Sequence, residues 1–189
     1  LDIPSIKPGD IYPLIEKIKG NPKFEVKLLG KSFSEQPIYK IKIGHGPIKL
    51  MMWSQMHGDE STATASLFDL INYMDNPKNS TWVKSWQEKI TIHMAPMINP
   101  DGAELNQRFN AQSIDINRDA RRLQTPEGKI LNAMADAIKP EFGFNLHDQA
   151  RFYSVGDSDK TATISLLAPA FNVAKDISDS RHQAMQISG

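Results

Sequence analysis

Three short, largely apolar runs, each separated from the next by a stretch of helical periodicity, constrain this chain more than any other feature. The runs are Ile48 to Trp53, Ile90 to Ala95 and Phe142 to Leu146. Runs of that length without polar alternation are the pattern of strands covered on both faces. Between them, Ser61 to Met74 places Leu67, Leu70, Ile71 and Met74 on one stripe. A second helix is expected over Pro126 to Ile138, closed by Lys139-Pro140. Strand and helix thus alternate after residue 48. The expected fold class is α/β, a three-layer sandwich with a mixed central sheet flanked by helices. All three apolar runs are expected at the centre of that sheet.

The earlier residues read differently. Ile11, Leu14, Ile15 and Ile18 share one face of a helix from about Asp10 to Lys19, with Gly20 as its stop. Phe24 to Leu29 and Ile38 to Ile43 alternate apolar with polar residues, and Ser34 to Pro37 makes the turn of a hairpin. Asp75 to Ser80 is the longest turn-rich patch, and Pro169 to Ser188 reads as a weakly amphipathic helix. With no internal repeat and no low-complexity linker, residues 1–189 are expected to form a single domain.

Composition excludes several function classes. Lys plus Arg equals Asp plus Glu at 22 each, so no charge excess favours nucleic acid or an anionic membrane. There is no cysteine, which leaves nitrogen and oxygen as the donors for any metal. No apolar run approaches the roughly 20 residues of a membrane span, and a soluble chain is expected. The start at Leu1 leaves the compartment open: periplasmic or secreted if a signal peptide has been removed, cytoplasmic otherwise.

Polar residues gather at the carboxyl ends of the apolar strands, where open α/β sheets place their sites. Ile48 to Trp53 runs into Ser54-Gln55-Met56-His57-Gly58-Asp59-Glu60, and Phe142 to Leu146 runs into His147. Imidazole plus carboxylate at three-residue spacing suits zinc, and a third nitrogen leaves one tetrahedral position open. Taken alone, a His-x-x-Glu is also a common capping or surface pattern. Asn99-Pro100-Asp101-Gly102 reads as a type I turn. Arg108 and Asp115-Ile116-Asn117-Arg118-Asp119 form a dense polar stretch beyond it, while Arg121 and Arg122 read as solvated loop charges. His93, within a strand, reads as a hydrogen-bonded sheet residue, and His45 and His182 as solvated.

His-x-x-Glu, Asn-Pro-Asp-Gly, an isolated Arg, Asp-x-Asn-Arg and a strand-end His, in that order, resemble the M14 metallocarboxypeptidases. The resemblance runs from about Lys49 to His147 and implies the N-terminal part of a carboxypeptidase-like catalytic domain, truncated at its C-terminus. It implies that His57, Glu60 and His147 hold Zn2+ and that Arg108 polarises the scissile carbonyl. It further implies that Asn117 and Arg118 hold the substrate's terminal carboxylate, and that Asp115 orients the first zinc histidine. The partner so implied is a peptide with a free C-terminus.

Two features depart from that pattern. Asp59 precedes the glutamate ligand where digestive-type members carry an arginine; His-Gly-Asp-Glu is closer to bacterial members and also resembles deacylases of the aspartoacylase type. The family's general base is a glutamate well downstream of the last zinc histidine, but there is none from Asp148 to Gly189, and Tyr153 follows His147 too closely to match the family's tyrosine. The 189 residues are therefore expected to bind zinc but hydrolyse peptides weakly or not at all. The alternatives are an N-acyl amino acid deacylase and a non-catalytic zinc- or peptide-binding domain.

Overall fold

The computed structural model describes residues 5–149, 154, 157–160 and 172–188. Two compact units make up the chain, Leu1–Asp148 and Gln149–Gly189.

The first unit is built on a five-stranded mixed sheet: β1 (Glu25–Lys31), β2 (Pro37–Ile43), β3 (Ile48–Ser54), β4 (Ile90–Ala95) and β5 (Phe142–Leu146), in the order β1-β2-β4-β3-β5. The hairpin pairs antiparallel with itself and with β4, whereas β3 runs parallel to both β4 and β5. Parallel pairing requires crossovers, and these are helical: α2 (Thr62–Asp75) and α3 (Ser80–Trp86) between β3 and β4, then α5 (Pro126–Ile138) before β5. The carboxyl ends of β3, β4 and β5 consequently open on the same edge of the sheet.

Strand parity assigns the two faces. Ile41 and Ile43 of β2 and Ile92 and Met94 of β4 pack with Ile11 and Ile15 of α1 (Pro8–Lys19) and with Leu67, Phe68, Ile71 and Met74 of α2. On the other face, Ile38 and Met51 pack with Met134 and Ile138 of α5. Helices thus cover both sides, giving three layers. Met74, Met94 and Ile41 are fully buried; truncating a residue of this kind to Ala typically costs about 2–5 kcal/mol.

Two expectations are corrected, those for the place of β5 and for Asn-Pro-Asp-Gly. β3 and β4 are central, but β5 ends the sheet among the described residues and has alternate residues exposed. Asp75 to Ser80 leads into α3, whose Trp82 stacks edge-on against Tyr73 and Trp86. Asn-Pro-Asp-Gly is the start of a short helix, α4 (Pro100–Glu104), because Asn99 Oδ1 accepts from Gly102 N at 2.9 Å and Pro100 occupies the first helical position. No helix among the described residues is long and apolar enough to cross a membrane.

In the second unit α6 (Asp179–Ser188) is the described helix, and the guanidinium of Arg181 donates to the carbonyls of Lys175 and Asp176. The expected helix from Pro169 is corrected to this later start within the described residues; its first residues, like Tyr153, lie outside them.

Candidate metal centre

The turn after β3 presents two side chains to one point. Gln55 opens it with a left-handed backbone, φ 52°. Its buried amide secures that conformation: Oε1 accepts from Thr64 Oγ1 at 2.7 Å, and Nε2 donates to the carbonyls of Ile6 and Gly58, both at 2.9 Å. A strained residue persists where its surroundings over-determine it. Asn99 braces the turn from the β4 side, its Nδ2 donating to the Met56 carbonyl at 3.1 Å. His57 leaves the turn almost fully buried, and Glu60 stands at the entrance to α2.

His147, just beyond β5, completes a group of three. Nδ1 of His57 lies 2.6 Å from Glu60 Oε1, and Nδ1 of His147 lies 2.6 Å from Glu60 Oε2. One donor atom from each residue lies within 4.8 Å of the other two. The rings of the histidines are 4.8 Å apart at their centroids. On the far side of His57, Nε2 meets Asp115 Oδ1 at 3.1 Å. Carboxylates only accept, so both His57 nitrogens face acceptors in this geometry; a cation in place of the Nδ1 proton would leave the remaining proton on Nε2, toward Asp115.

Arg108 is the cation beside this cluster. Its Nε and Nη2 donate to Asp115 Oδ2 at 3.2 and 2.9 Å, and Nη1 reaches to 3.2 Å from His57 Nδ1 and 3.8 Å from Glu60 Oε1. Burial opposes the charged form of Glu60, but hydrogen bonds from His147 and His57 outweigh it and hold its pKa below the usual carboxylate value. Asp115 behaves alike: burial raises its pKa, while Arg108 and His57 together bring it down. Both acids are ionised at neutral pH.

The donor set can be tested against zinc on these contacts. Two nitrogens and a carboxylate, with no thiolate, match a catalytic rather than a structural zinc set. Two carboxylates against one guanidinium leave net negative charge when the imidazoles are neutral. A bare Nδ1 lone pair 2.6 Å from a carboxylate oxygen is repulsive unless a proton or a cation joins them. The residues fit a divalent cation.

The remaining candidates are less tightly drawn in. Asn117 opens next to the centre, its N–H donating to Asp115 Oδ1 at 2.9 Å and its Oδ1 accepting from Asn145 Nδ2 at 3.0 Å. Arg118 is exposed, and its side chain makes no hydrogen bond or ion pair among the described residues. Asp59, Arg121 and Arg122 are exposed too. His93 is corrected: it is 8% exposed in the sheet, but its Nδ1 finds no hydrogen-bond partner among the described residues. Residue types and spacing did not single out Gln55, Asn99 or Asp148 as supports of the centre. The left-handed turn at Gln55 had no glycine to mark it.

The chain matches the zinc carboxypeptidase family model, Peptidase M14, over residues 11–158. It is 32% identical over 98 residues to carboxypeptidase SOL1 of Arabidopsis thaliana, covering 48% of this chain and 20% of that protein. Carboxypeptidase 2 of Trichophyton rubrum is 29% identical over 102 residues, covering 53% of this chain and 19% of its own length. The chain thus spans about a fifth of the length of these curated relatives. A metallo-carboxypeptidase from Burkholderia cenocepacia superposes with a TM-score of 0.69 at 20% identity, over 75% of this chain and 40% of that one, which shows a shared fold. The described sheet and its helices are therefore a carboxypeptidase-like α/β fold, and the chain belongs to the M14 family of zinc carboxypeptidases.

Proposed function

We propose that these residues carry the metal centre and the carboxylate anchor of a zinc peptidase that hydrolyses the C-terminal peptide bond of its substrate. The observation that carries the reading is the convergence of both histidine Nδ1 atoms on the Glu60 carboxylate, 2.6 Å each. His57, Glu60 and His147 would hold the ion. When bound, zinc supplies Lewis acidity, lowering the pKa of water to about 7 and polarising a carbonyl.

The protein's own groups do the rest. Asp115 keeps the proton of His57 on Nε2 and so keeps Nδ1 available as a ligand. Arg108, aimed by its paired hydrogen bonds to Asp115, offers guanidinium N–H groups to the oxygen that gains charge as the carbonyl is attacked. Arg118, whose side chain has no competing partner among the described residues, offers a planar fork to the terminal carboxylate, beside Asn117. A carboxylate to accept the proton of the attacking water is not assigned. Asp148 follows the metal histidine, but its carboxylate already accepts from Thr62. Assayed alone, the 189-residue chain binds zinc but turns over weakly, because general acid-base catalysis contributes roughly 10²–10⁴-fold.

The test is to quantify bound zinc and then assay three substrates on the longest natural form: a peptide with a free C-terminus, its C-terminal amide, and an N-acyl amino acid. Zinc-dependent release from the free peptide, with the amide resistant, is expected. Faster hydrolysis of the N-acyl amino acid would favour a deacylase, and absence of stoichiometric zinc would remove the metal centre.

A further inference from the structure

Glu60 and His147 lie on different elements, 87 residues apart, and something must fix how closely they approach. The residue after His147 is placed to do so. Asp148 Oδ1 accepts from Thr62 N at 3.1 Å, and Oδ2 accepts from Thr62 Oγ1 at 2.9 Å. In return, Asp148 N donates to Glu60 Oε2 at 3.3 Å. The clasp is reciprocal, as in a capping box, but its halves come from the start of α2 and the end of β5.

Local sequence does not provide that cap. Ser61, the residue before α2, makes no side-chain capping bond to the helix, and the first turn of α2 contains no acidic residue. Asp148 therefore fills, from the end of the neighbouring strand β5, the role that an N-terminal Ser or Asp usually plays, satisfying a helical N–H and complementing the helix dipole. Because its backbone continues directly from His147, a bond at Thr62 sets the position of that imidazole relative to Glu60.

We propose that Asp148 is a positioning residue of the metal centre, an N-cap supplied to α2 from beyond β5 that locks His147 against Glu60. The idea rests on the zinc reading above for its consequence, but the cap itself can be tested without metal.

The experiment uses the longest natural protein as wild type, Asp148→Ala and Asp148→Asn, since an asparagine Oδ1 can still accept from Thr62 N. Amide hydrogen exchange in the metal-free state reads the cap: Asp148→Ala should speed exchange in the first turn of α2 by about tenfold, and Asp148→Asn should restore most of the protection. Zinc affinity, measured by chelator competition, should fall about 10- to 100-fold in the alanine variant and recover in the asparagine variant. Unchanged exchange in Asp148→Ala overturns the cap. Changed exchange with zinc affinity within twofold of wild type overturns the link to the metal. A wild type that does not take up zinc refutes the metal centre proposed above and, with it, the positioning role, while exchange still decides whether the cap exists. An asparagine variant that keeps its zinc but loses turnover about as fully as alanine makes Asp148 a proton acceptor, and the positioning role fails.

Discussion

Gly58 lies against the backbone of Gly102, so closely that a Cβ at residue 58 would stand 2.0 Å from the Gly102 carbonyl carbon and 2.3 Å from Ala103 N. This contact brings the His-x-x-Glu turn and α4 together, with Asn99 bridging the two. Neither neighbour is the end of a flexible side chain, so the turn itself must move if the space is filled.

Gly58→Ala is therefore expected to displace both His57 and Glu60. Overpacking of this kind typically costs about 1–3 kcal/mol. Thermal unfolding should register the loss, and zinc stoichiometry should fall with it. Asp59→Ala, one residue on and exposed, serves as the comparison and should stay within about 0.5 kcal/mol of wild type. Equal melting temperatures and equal zinc content in the glycine variant would remove the contact from the account of the site.

His93 provides a pH signature. It sits in β4 opposite Lys42 of β2 and Met51 of β3. Burial first, then Lys40 and Lys42, lower its pKa from 6.5 to about 4, against a small opposing pull from Glu25. The unfolded chain takes up a proton below pH 6.5 that the folded chain refuses until about pH 4. Stability is thus complete above 6.5 and declines as pH falls toward 4, by at most roughly 3 kcal/mol from this group. Urea unfolding of metal-free protein at pH 7.5, 5.5 and 4.5 should show the decline, and His93→Phe should flatten it. Parallel pH slopes in the two proteins would contradict the assignment.

How much of this could be read in advance follows from which interactions are local. α5 was legible because Pro126 and Lys139-Pro140 mark both ends within the helix's own neighbourhood. The apolar runs gave β3, β4 and β5 for the same reason, although the place of β5 at the end of the sheet depends on pairing that no run reveals. α3 was not legible: Val83 is its one buried residue, and its aromatic side chains find their contacts partly on α2. The proposed ligands His57, Glu60 and His147 follow strand ends, where pattern and chemistry coincide. Asn99, Gln55 and Asp148 looked like ordinary turn residues, because their partners at Met56, Ile6 and Thr62 are 43, 49 and 86 residues away.

Arg118 gives the third prediction, concerning substrate selection. An exposed guanidinium without a partner among the described residues is at little cost to fold stability when removed, so Arg118→Ala should melt within about 0.5 kcal/mol of wild type. On a peptide with a free C-terminus, loss of the charge-assisted pair should cost about 2–5 kcal/mol in kcat/KM. On the amidated peptide the two proteins should be equally poor. An equal loss on both substrates would assign Arg118 to something other than the terminal carboxylate.

Glu60 gives the last prediction, because it accepts from both histidines and its removal should separate metal binding from folding. At neutral pH its carboxylate is charged, with a pKa lowered by His147 and His57 in spite of burial. Glu60→Gln keeps the shape but turns an amide group toward one Nδ1, so the variant loses the anionic ligand without losing side-chain volume. Zinc that binds the folded state alone raises stability by RT ln(1 + [Zn]/Kd), about 2.7 kcal/mol at a hundredfold excess over Kd. For a domain of this size, that is a rise of roughly 5–10 °C in melting temperature. Wild type should show the rise, EDTA should reverse it, and Glu60→Gln should show little or none at the same zinc concentration. Any stabilisation owed to the ionised Glu60 in the metal-free protein is present above its unfolded pKa and lost as pH falls through its lowered folded value, so the comparison belongs at pH 7 to 8. A Glu60→Gln protein that gains as much from zinc as wild type would place the metal elsewhere than between His57 and His147.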